Sequence, residues 1–197
     1  MAKDYRLVAV IGFLVGWLVL VPAKNLGYSL SAPLVAGSVI GFTLFAPFAL
    51  WILKYLARFW SIFERFGKFS AVGTLNSLID LAVLNALMGS TGIVAGWWFV
   101  GFKCASFVVA KANSYFWNKF WTFESRTKVS IKEYLAFTML TLVGAGINIS
   151  VASILVNVVG SPAGMDPKWW ANVSTVIAIF AGLLWNFVSY GKTVFKE

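Results

Sequence analysis

Long apolar runs separated by short polar intervals dominate this chain. Each run is long enough to form a transmembrane helix, because a hydrocarbon core of about 30 Å needs roughly 20 helical residues. The six runs cover residues 7–23, 34–56, 69–88, 97–118, 134–159 and 169–190. We interpret the first run as an uncleaved helix and not as a signal peptide, since a second apolar run follows and pairs with it. The pattern predicts an all-α, polytopic membrane protein with about six transmembrane helices.

Residues 58–68 show a different pattern, between the second and third spans. One face of a helix there would be aromatic and the other polar or basic: Phe59, Trp60, Phe63 and Phe66 against Arg58, Ser61, Arg65 and Lys68. This is typical of a helix lying in the membrane interface; the alternative is a basic extension of the second span. The predicted parts are a two-helix N-terminal extension over residues 1–57, an interfacial helix over 58–68 and a four-helix transmembrane domain over 69–197.

The composition supports a membrane protein, with 60% hydrophobic and 12% charged residues among 197. The net charge is +9, but the basic residues flank apolar runs, so topology and anionic lipid explain them better than nucleic acid does. With six spans, one membrane face collects Lys3, Arg6, Lys54, Arg58, Arg65, Lys68, Lys119, Arg126, Lys128, Lys132, Lys192 and Lys196. The opposite face collects Lys24 and Lys168, so the positive-inside rule predicts that both termini are cytoplasmic.

The sequence lacks the residue patterns of several common functional sites. The chain has no histidine and one cysteine, Cys104, which excludes a His-based triad and an intrachain disulfide. Asp, Glu and Cys do not cluster in the manner of a metal site. We therefore predict no metal, no cofactor and no catalytic residues, and we expect that the protein is not an enzyme.

The last four spans resemble two copies of one hairpin. Matches at one fixed offset are Phe66/Phe137, Val72/Val143 and Gly73/Gly144, and after a one-residue slip they are Asn76/Asn148, Asn85/Asn157, Tyr115/Phe187 and Phe123/Phe195. Each copy crosses the membrane twice, so both have one orientation, which predicts a pseudo-two-fold axis along the membrane normal. Charged positions break the symmetry, because Asp80, Lys103 and Lys111 align with uncharged residues of the second copy.

These three charged residues lie inside apolar spans, where charge is costly. A lysine at the bilayer centre costs roughly 2.5–3.5 kcal/mol on insertion scales, so it usually faces a partner or a cavity. If the third and fourth spans pair antiparallel, Lys103 and Lys111 lie about one turn above and below Asp80. We predict that Asp80 is the charge partner of these lysines, with Asn76 one turn away on the same face.

Three segments resemble the GtrA-like family. Residues 68–87, KFSAVGTLNSLIDLAVLNAL, resemble its opening helix. Residues 113–123, NSYFWNKFWTF, are similar to its pattern Asn-Phe, Asn-Arg and Trp-Thr-Phe, and residues 185–195, WNFVSYGKTVF, resemble a weaker copy that ends the fourth helix. The chain departs from the family pattern at Ser114 in place of Asn, Lys119 in place of Arg and Gly191 in place of a basic residue. The resemblance covers residues 66–195.

By this resemblance, the protein is expected to flip a polyprenyl-phosphate-linked sugar across the membrane, for cell-envelope polysaccharide synthesis or protein glycosylation. The alternative is a non-catalytic membrane partner or anchor for a polyprenyl-phosphate glycosyltransferase. A third hypothesis is a small proton-coupled transporter that uses Asp80. A homodimer is an alternative to a monomer, because four to six helices are few for enclosing a large head group.

The candidate site follows from the chemistry of a lipid phosphate in a medium of low dielectric constant, for which lysine is a suitable point charge. We predict phosphate binding at successive depths by Lys119, Lys111 and Lys103. Sugar contacts are predicted for Asn76, Asn113, Asn118, Asn148, Asn186, Trp117 and Trp121. The alternatives are that the lysines extend to the membrane interface and that the asparagines only join helices.

Overall fold

The computed structural model describes residues 2–93, 96–165 and 167–195. Its α-helices are α1 (Ala2–Leu18), α2 (Leu20–Asn25), α3 (Ala32–Leu56), α4 (Ile62–Thr91), α5 (Gly96–Trp117), α6 (Ile131–Ser153) and α7 (Pro167–Ser189). Helices α5, α6 and α7 continue into short π-helical segments, which are Asn118–Thr122, Ile154–Val159 and Tyr190–Val194. The described secondary structure is helical throughout, which confirms the predicted all-α class.

Five stretches of the described residues are long and apolar enough to cross a membrane: Ala2–Asn25, Ala32–Leu56, Ile62–Thr91, Ile131–Val151 and Ile177–Val194. They correspond to five of the six predicted spans and make this a polytopic membrane protein. The remaining predicted span is α5, whose 22 residues would give about 33 Å of helix. Two lysines in the interior of α5, Lys103 and Lys111, lower its hydropathy.

The interfacial helix predicted over residues 58–68 is not a separate element, so its predicted bounds were wrong. Residues 57–61 form a turn after α3, and α4 begins at Ile62 and continues without a break to Thr91. Lys68 belongs to α4 and is only 5% exposed. Lys68 pairs with the carboxylates of Asp4 and Glu124. A helix lying in the interface would instead present this lysine to water or lipid head groups.

The chain forms two compact units, Met1–Glu124 and Ser125–Glu197. In the first unit α1, α3 and α4 pack on one another, and α5 packs on α4. The interior of this unit includes Val8 and Val15 of α1, Leu50 of α3 and Val72 of α4, each at most 3% exposed. The two N-terminal spans therefore cover one side of the hairpin that α4 and α5 form.

Helices α1 and α3 come into backbone contact at two glycines of α1. A Cβ atom at Gly12 would lie 2.2 Å from the carbonyl oxygen of Phe42, and one at Gly16 would lie 2.6 Å from Cα of Val39. Ser38 adds a hydrogen bond from its Oγ to the Gly16 carbonyl oxygen at 2.8 Å. Small residues four positions apart allow membrane helices to approach this closely.

The second unit is an antiparallel hairpin of α6 and α7. The hydroxyl groups of Thr141 and Tyr190 are hydrogen-bonded across it, and the Phe137 ring packs on Tyr190 with the centroids 4.4 Å apart. A Cβ atom at Gly182 of α7 would lie 2.9 Å from the Gly144 carbonyl oxygen of α6. The two helices are therefore in backbone contact at this pair of glycines.

The two hairpins share a structural detail that supports the predicted duplication. Both outgoing helices end in a five-residue π-helical segment, Asn118–Thr122 after α5 and Tyr190–Val194 after α7. The two segments lie as far apart along the sequence as Asn76 and Asn148 do. The backbone amides that close them, of Phe123 and Phe195, both donate at 2.9 Å to the carbonyl of the first segment residue.

The two copies differ in how the protein covers their first helix. Val72 of α4 is 0% exposed, whereas its counterpart Val143 of α6 is 46% exposed. Val72 packs in the cluster that α1 and α3 help to form, which explains the difference. The symmetry axis that would relate the two copies stays a prediction.

Candidate functional site

Asp80 lies on α4 at its contact with α5. Ser106 of α5 donates a hydrogen bond from its Oγ to Asp80 Oδ1 at 2.6 Å, and Ser106 is fully buried. The carboxylate is partly buried, so this bond replaces part of the hydration that a charge loses inside a membrane span. The position of Asp80 opposite α5 matches the sequence prediction, but Ser106 was missed, because a single serine hardly changes the hydropathy of a span.

Lys111 lies on α5 about one and a half turns beyond Ser106. Its Nζ stands 5.3 Å from the ring centroid of Phe107. The side chain is partly buried, as expected for a lysine that faces a neighbouring helix. Asp80 and Lys111 therefore share one part of the contact between α4 and α5. Lys103 lies further back on α5, and its side chain falls outside the described residues.

Two asparagines join the same helices close to Asp80 and Lys111. Asn113 of α5 donates from Nδ2 to Asn76 Oδ1 of α4 at 2.7 Å. Asn76 is 8% exposed, and its own Nδ2 donates to no acceptor in the described part of the chain. A buried amide with an unused donor is uncommon in folded proteins, and a ligand oxygen would satisfy it.

The π-helical segment after α5 contains two further predicted site residues. Lys119 is 0% exposed and Asn118 is 1% exposed. Asn118 donates from Nδ2 to the Ser114 carbonyl oxygen at 2.9 Å, while its Oδ1 accepts no hydrogen bond from the described residues. The burial of Lys119 is inconsistent with a lysine that extends to the membrane interface.

Trp121 occupies the interior of the first unit, which contradicts its predicted role in stacking on a sugar. The indole is 4% exposed, packs edge-on against Trp117 at 5.5 Å between centroids, and donates from Nε1 to Asp4 Oδ1 at 3.0 Å. Helix α1 supplies this partner and covers the ring. Trp117 is partly buried and packs against the same cluster.

Asp4 is the centre of an ion-pair network that the sequence did not reveal. Its Oδ2 lies 2.7 Å from Lys54 Nζ, and its Oδ1 lies 3.2 Å from Lys68 Nζ. The lysines have further partners, since Lys54 pairs with Glu64 at 2.9 Å and Lys68 with Glu124 at 2.9 Å. We call these five residues the Asp4 cluster. It joins α1, α3 and α4 to the segment that follows α5.

The Asp4 cluster changes the interpretation of two basic residues. Lys54 and Lys68 were assigned to a basic membrane face, but their side chains are only 11% and 7% exposed. Their charges are balanced inside the protein. One feature of the sequence indicates this arrangement, because the acidic residue Asp4 lies between Lys3 and Arg6 at the start of an apolar run.

The two predicted asparagines of the second unit lie where α6 and α7 meet. A Cβ atom at Gly144 would be 2.3 Å from Asn186 Oδ1, and one at Gly182 would be 3.3 Å from Cβ of Asn148. Asn186 Oδ1 has no hydrogen-bond donor among the described residues. Both amides are thus placed between helices, as residues that join membrane helices are.

A family model described as GtrA/DPMS, transmembrane domain, matches residues 68–195. The match begins within α4 and includes the predicted site residues on α4 to α7, while α1 and α3 lie outside it. The chain is also 28% identical over 146 residues to the uncharacterized membrane protein YngA of Bacillus subtilis (strain 168). That alignment covers 73% of this chain and 89% of YngA. No solved structure matches this chain significantly.

Proposed function

Because this chain belongs to the GtrA/DPMS transmembrane-domain family, we propose that it moves a polyprenyl-phosphate-linked sugar between the two leaflets of the membrane. Synthesis of cell-envelope polysaccharide or of another glycoconjugate would use the translocated lipid. In this proposal the protein binds and carries its substrate without changing it covalently. Both termini lie in the cytoplasm, as the distribution of basic residues predicts.

The observation that carries the proposal is the set of polar side chains between α4 and α5. Lys111 and Asp80 lie at this contact within the membrane-spanning part of the family domain, together with a buried amide donor of Asn76 that no described residue accepts. Charged residues within spans mark the paths of substrates and ions.

The proposed mechanism is an exchange of partners at Lys111. A sugar linked to a prenyl chain through a phosphodiester carries one negative charge, the same charge as the Asp80 carboxylate. The phosphate can therefore take the place of Asp80 as the partner of Lys111, while Ser106 continues to bond to Asp80. Because Asp80 stays in the site, binding makes the local net charge more negative by one. Asn76 then donates to a phosphate or sugar oxygen, and the prenyl chain stays in the surrounding lipid.

Further predicted residues extend this set towards the Asp4 end of the unit. Asn113, Asn118 and Lys119 follow along α5 and its π-helical end, and we assign them to the cytoplasmic part of the path. Lys103 is proposed to receive the phosphate beyond Lys111. Trp121 is not part of the proposed site, because its indole is buried against α1.

Transfer of a fluorescent polyprenyl-phosphate sugar between leaflets of proteoliposomes tests the proposal. We expect Lys111→Met to slow transfer at least tenfold, because it removes the charge and retains most of the side-chain volume. The matched control is Lys128→Met, which removes an exposed lysine from the segment before α6 and should leave the rate unchanged. Equal transfer with protein-free liposomes and with the wild type would overturn the proposal.

A second candidate function is supported by the turn between α3 and α4. Phe59 and Trp60 of this turn are 67% and 66% exposed, and the Arg58 guanidinium lies 5.1 Å from the centroid of the Tyr55 ring. Such a basic, aromatic surface suits a protein partner at the membrane face, here a polyprenyl-phosphate glycosyltransferase. Co-purification of that enzyme with the wild type, and its loss in the Trp60→Ala variant, would favour this anchor function.

A further inference from the structure

A cavity of the first unit lies beyond Asp80, towards the C-terminal end of α4, and combines aromatic, amide and basic groups. It has a volume of about 600 Å³ and lies where α2, the start of α3 and the end of α4 meet. Its distinctive lining residues are Trp17, Lys24, Asn25 and Asn85. We call this cavity the Lys24 pocket. Its volume falls in the range of roughly 300–1,000 Å³ that is usual for small-molecule sites.

The Lys24 pocket opens at the membrane boundary opposite the Asp4 cluster. Lys24 follows Asp4 by about 20 residues along α1 and α2, a rise of about 30 Å, which equals the thickness of the hydrocarbon core. Asn85 lies in the last two turns of α4, whose first turns carry Lys68 of the Asp4 cluster. With cytoplasmic termini, the pocket faces the outer leaflet.

Hydrogen bonds hold the amide groups of this pocket in fixed orientations. Asn25 donates from Nδ2 to Asn85 Oδ1 at 2.8 Å, and Asn85 donates from Nδ2 to the Leu81 carbonyl oxygen at 2.8 Å. The Asn25 Oδ1 atom lies beside Gly89, at 3.5 Å from the position that a Cβ atom would take there. These hydrogen bonds fix the Asn25 amide, so that its Oδ1 lies along the pocket wall before a ligand binds.

The chemistry of the lining selects an anionic ligand that also carries hydroxyl groups. Lys24 is the one charged side chain among the described residues that line the pocket, and a lysine ammonium is a suitable partner for phosphate. The oxygen of Asn25 accepts hydrogen bonds from hydroxyl groups. Trp17 is 49% exposed and presents an amphipathic ring of the kind that lies at membrane interfaces.

We propose that the Lys24 pocket is a second head-group site, which binds a sugar joined through phosphate to a lipid in the outer leaflet. The identity of this lipid rests on the proposed function. The pocket would hold the head group after its passage along α4 and α5. The N-terminal helices, which lie outside the family domain, thereby gain a role in substrate release.

Protection of a single cysteine tests this assignment. Cys104 is the one native cysteine, so a Cys104→Ser background that also carries Gly89→Cys places one thiol in the pocket wall. The ordinary van der Waals distance to Asn25 shows that the wall accommodates a Cβ atom at this position. Labelling of the purified protein by a maleimide is followed while a short-chain polyprenyl-phosphate glucose or phosphatidylglycerol is titrated in.

We expect the sugar lipid to slow labelling and phosphatidylglycerol to leave it unchanged. Lys24→Gln should raise the half-protecting concentration roughly tenfold, since it removes a charge-assisted hydrogen bond. Lys3→Gln, at the other end of α1, should not change it. Equal protection by both lipids, or no protection by the sugar lipid, would overturn the assignment.

Transfer between leaflets, measured with the same preparations, separates this inference from the proposed function. Protection without any transfer would leave the Lys24 pocket in place and overturn translocation. Transfer without protection would overturn the pocket and leave translocation in place.

Discussion

Asp4 holds two lysines that come from different helices, Lys54 of α3 at 2.7 Å and Lys68 of α4 at 3.2 Å. All three side chains are at most 13% exposed. Removal of one partner from a buried ion pair typically costs about 3–5 kcal/mol, because the remaining charge stays buried without compensation. Asp4 therefore stabilises the packing of α1, α3 and α4 through two buried ion pairs.

The Asp4→Asn variant is expected to unfold at a markedly lower temperature than the wild type in detergent, since Lys54 and Lys68 lose their shared carboxylate. The matched control is Glu64→Gln, which removes a carboxylate that is 43% exposed and pairs with Lys54. An exposed pair contributes about 0–1 kcal/mol, so the melting temperature of the Glu64→Gln variant should differ little from that of the wild type. Equal melting temperatures of the two variants would contradict this role of Asp4.

Single residues were also where sequence reasoning was least complete. Asp80 and Lys111 were found because a charge inside an apolar run is conspicuous. Asp4 was not found, since an acid at the start of a span is ordinary, and its partners lie about 50 and 64 residues away along the chain. Trp121 was predicted to stack on a sugar, because nothing in the sequence around it indicates that α1 covers its indole.

Helices of this chain meet through glycines, but only some glycines take part. The two N-terminal spans contain two pairs four residues apart, Gly12 and Gly16 on α1 and Gly37 and Gly41 on α3. A Cβ atom at either glycine of α1 would collide with the α3 backbone, whereas one at Gly37 or Gly41 would meet no atom within 4 Å. Only the α1 pair is therefore a packing motif within the first unit.

Alanine substitutions at these glycines should separate the two pairs. Gly12→Ala is expected to destabilise the protein by about 1–3 kcal/mol, the usual cost of overpacking, because the Phe42 carbonyl oxygen would lie 2.2 Å from the new atom. Gly41→Ala should be neutral or slightly stabilising, since alanine has the higher helix propensity. Thermal unfolding of both variants in detergent measures the difference, and a greater loss for Gly41→Ala would contradict the assigned contact.

The second hairpin offers a parallel test. Gly182→Ala should lower the melting temperature, because its Cβ would lie 2.9 Å from the Gly144 carbonyl oxygen and α6 and α7 would have to move apart. Gly146→Ala on α6 is the control, as nothing lies within 4 Å of its Cβ position. A melting temperature of the Gly182→Ala variant equal to that of the control would show that this close approach is not required.

Elements were largely predictable because apolar length is a direct signal of a membrane helix. Five predicted spans recur as helices of sufficient length and hydropathy. A separate helix over residues 58–68 was not found, since α4 begins at Ile62 and Lys68 is buried beside the Asp4 carboxylate. The periodicity of basic residues alone does not show whether the basic face of a helix is turned towards lipid or towards another helix.

At the scale of the whole molecule, the first unit combines the hairpin of α4 and α5 with the N-terminal helices, and the second unit is the hairpin of α6 and α7. The π-helical segments at the ends of α5 and α7 support the duplication. The charges do not follow it, because Asp80 and Lys111 belong to the first copy. We therefore assign binding of the head group to the first copy and the N-terminal helices.

Cysteine labelling tests the orientation of the whole chain. In a Cys104→Ser background, Lys128→Cys and Ser161→Cys place single thiols at exposed positions in the links before and after α6. In right-side-out vesicles we expect an impermeant maleimide to label the Ser161→Cys variant and to leave the Lys128→Cys variant unlabelled until the membrane is opened. The reverse pattern would contradict cytoplasmic termini and place the Lys24 pocket at the inner face.

Binding of a polyprenyl-phosphate sugar to the purified protein, measured by native mass spectrometry, tests most directly whether the polar set between α4 and α5 holds the lipid phosphate. We expect a specific complex with the wild type and with the Lys128→Met control. We expect at least a roughly tenfold weaker complex for Lys111→Met, which lacks the charge that would bond to the phosphate. Undiminished binding to Lys111→Met would contradict the proposed phosphate site and make the charges between α4 and α5 structural.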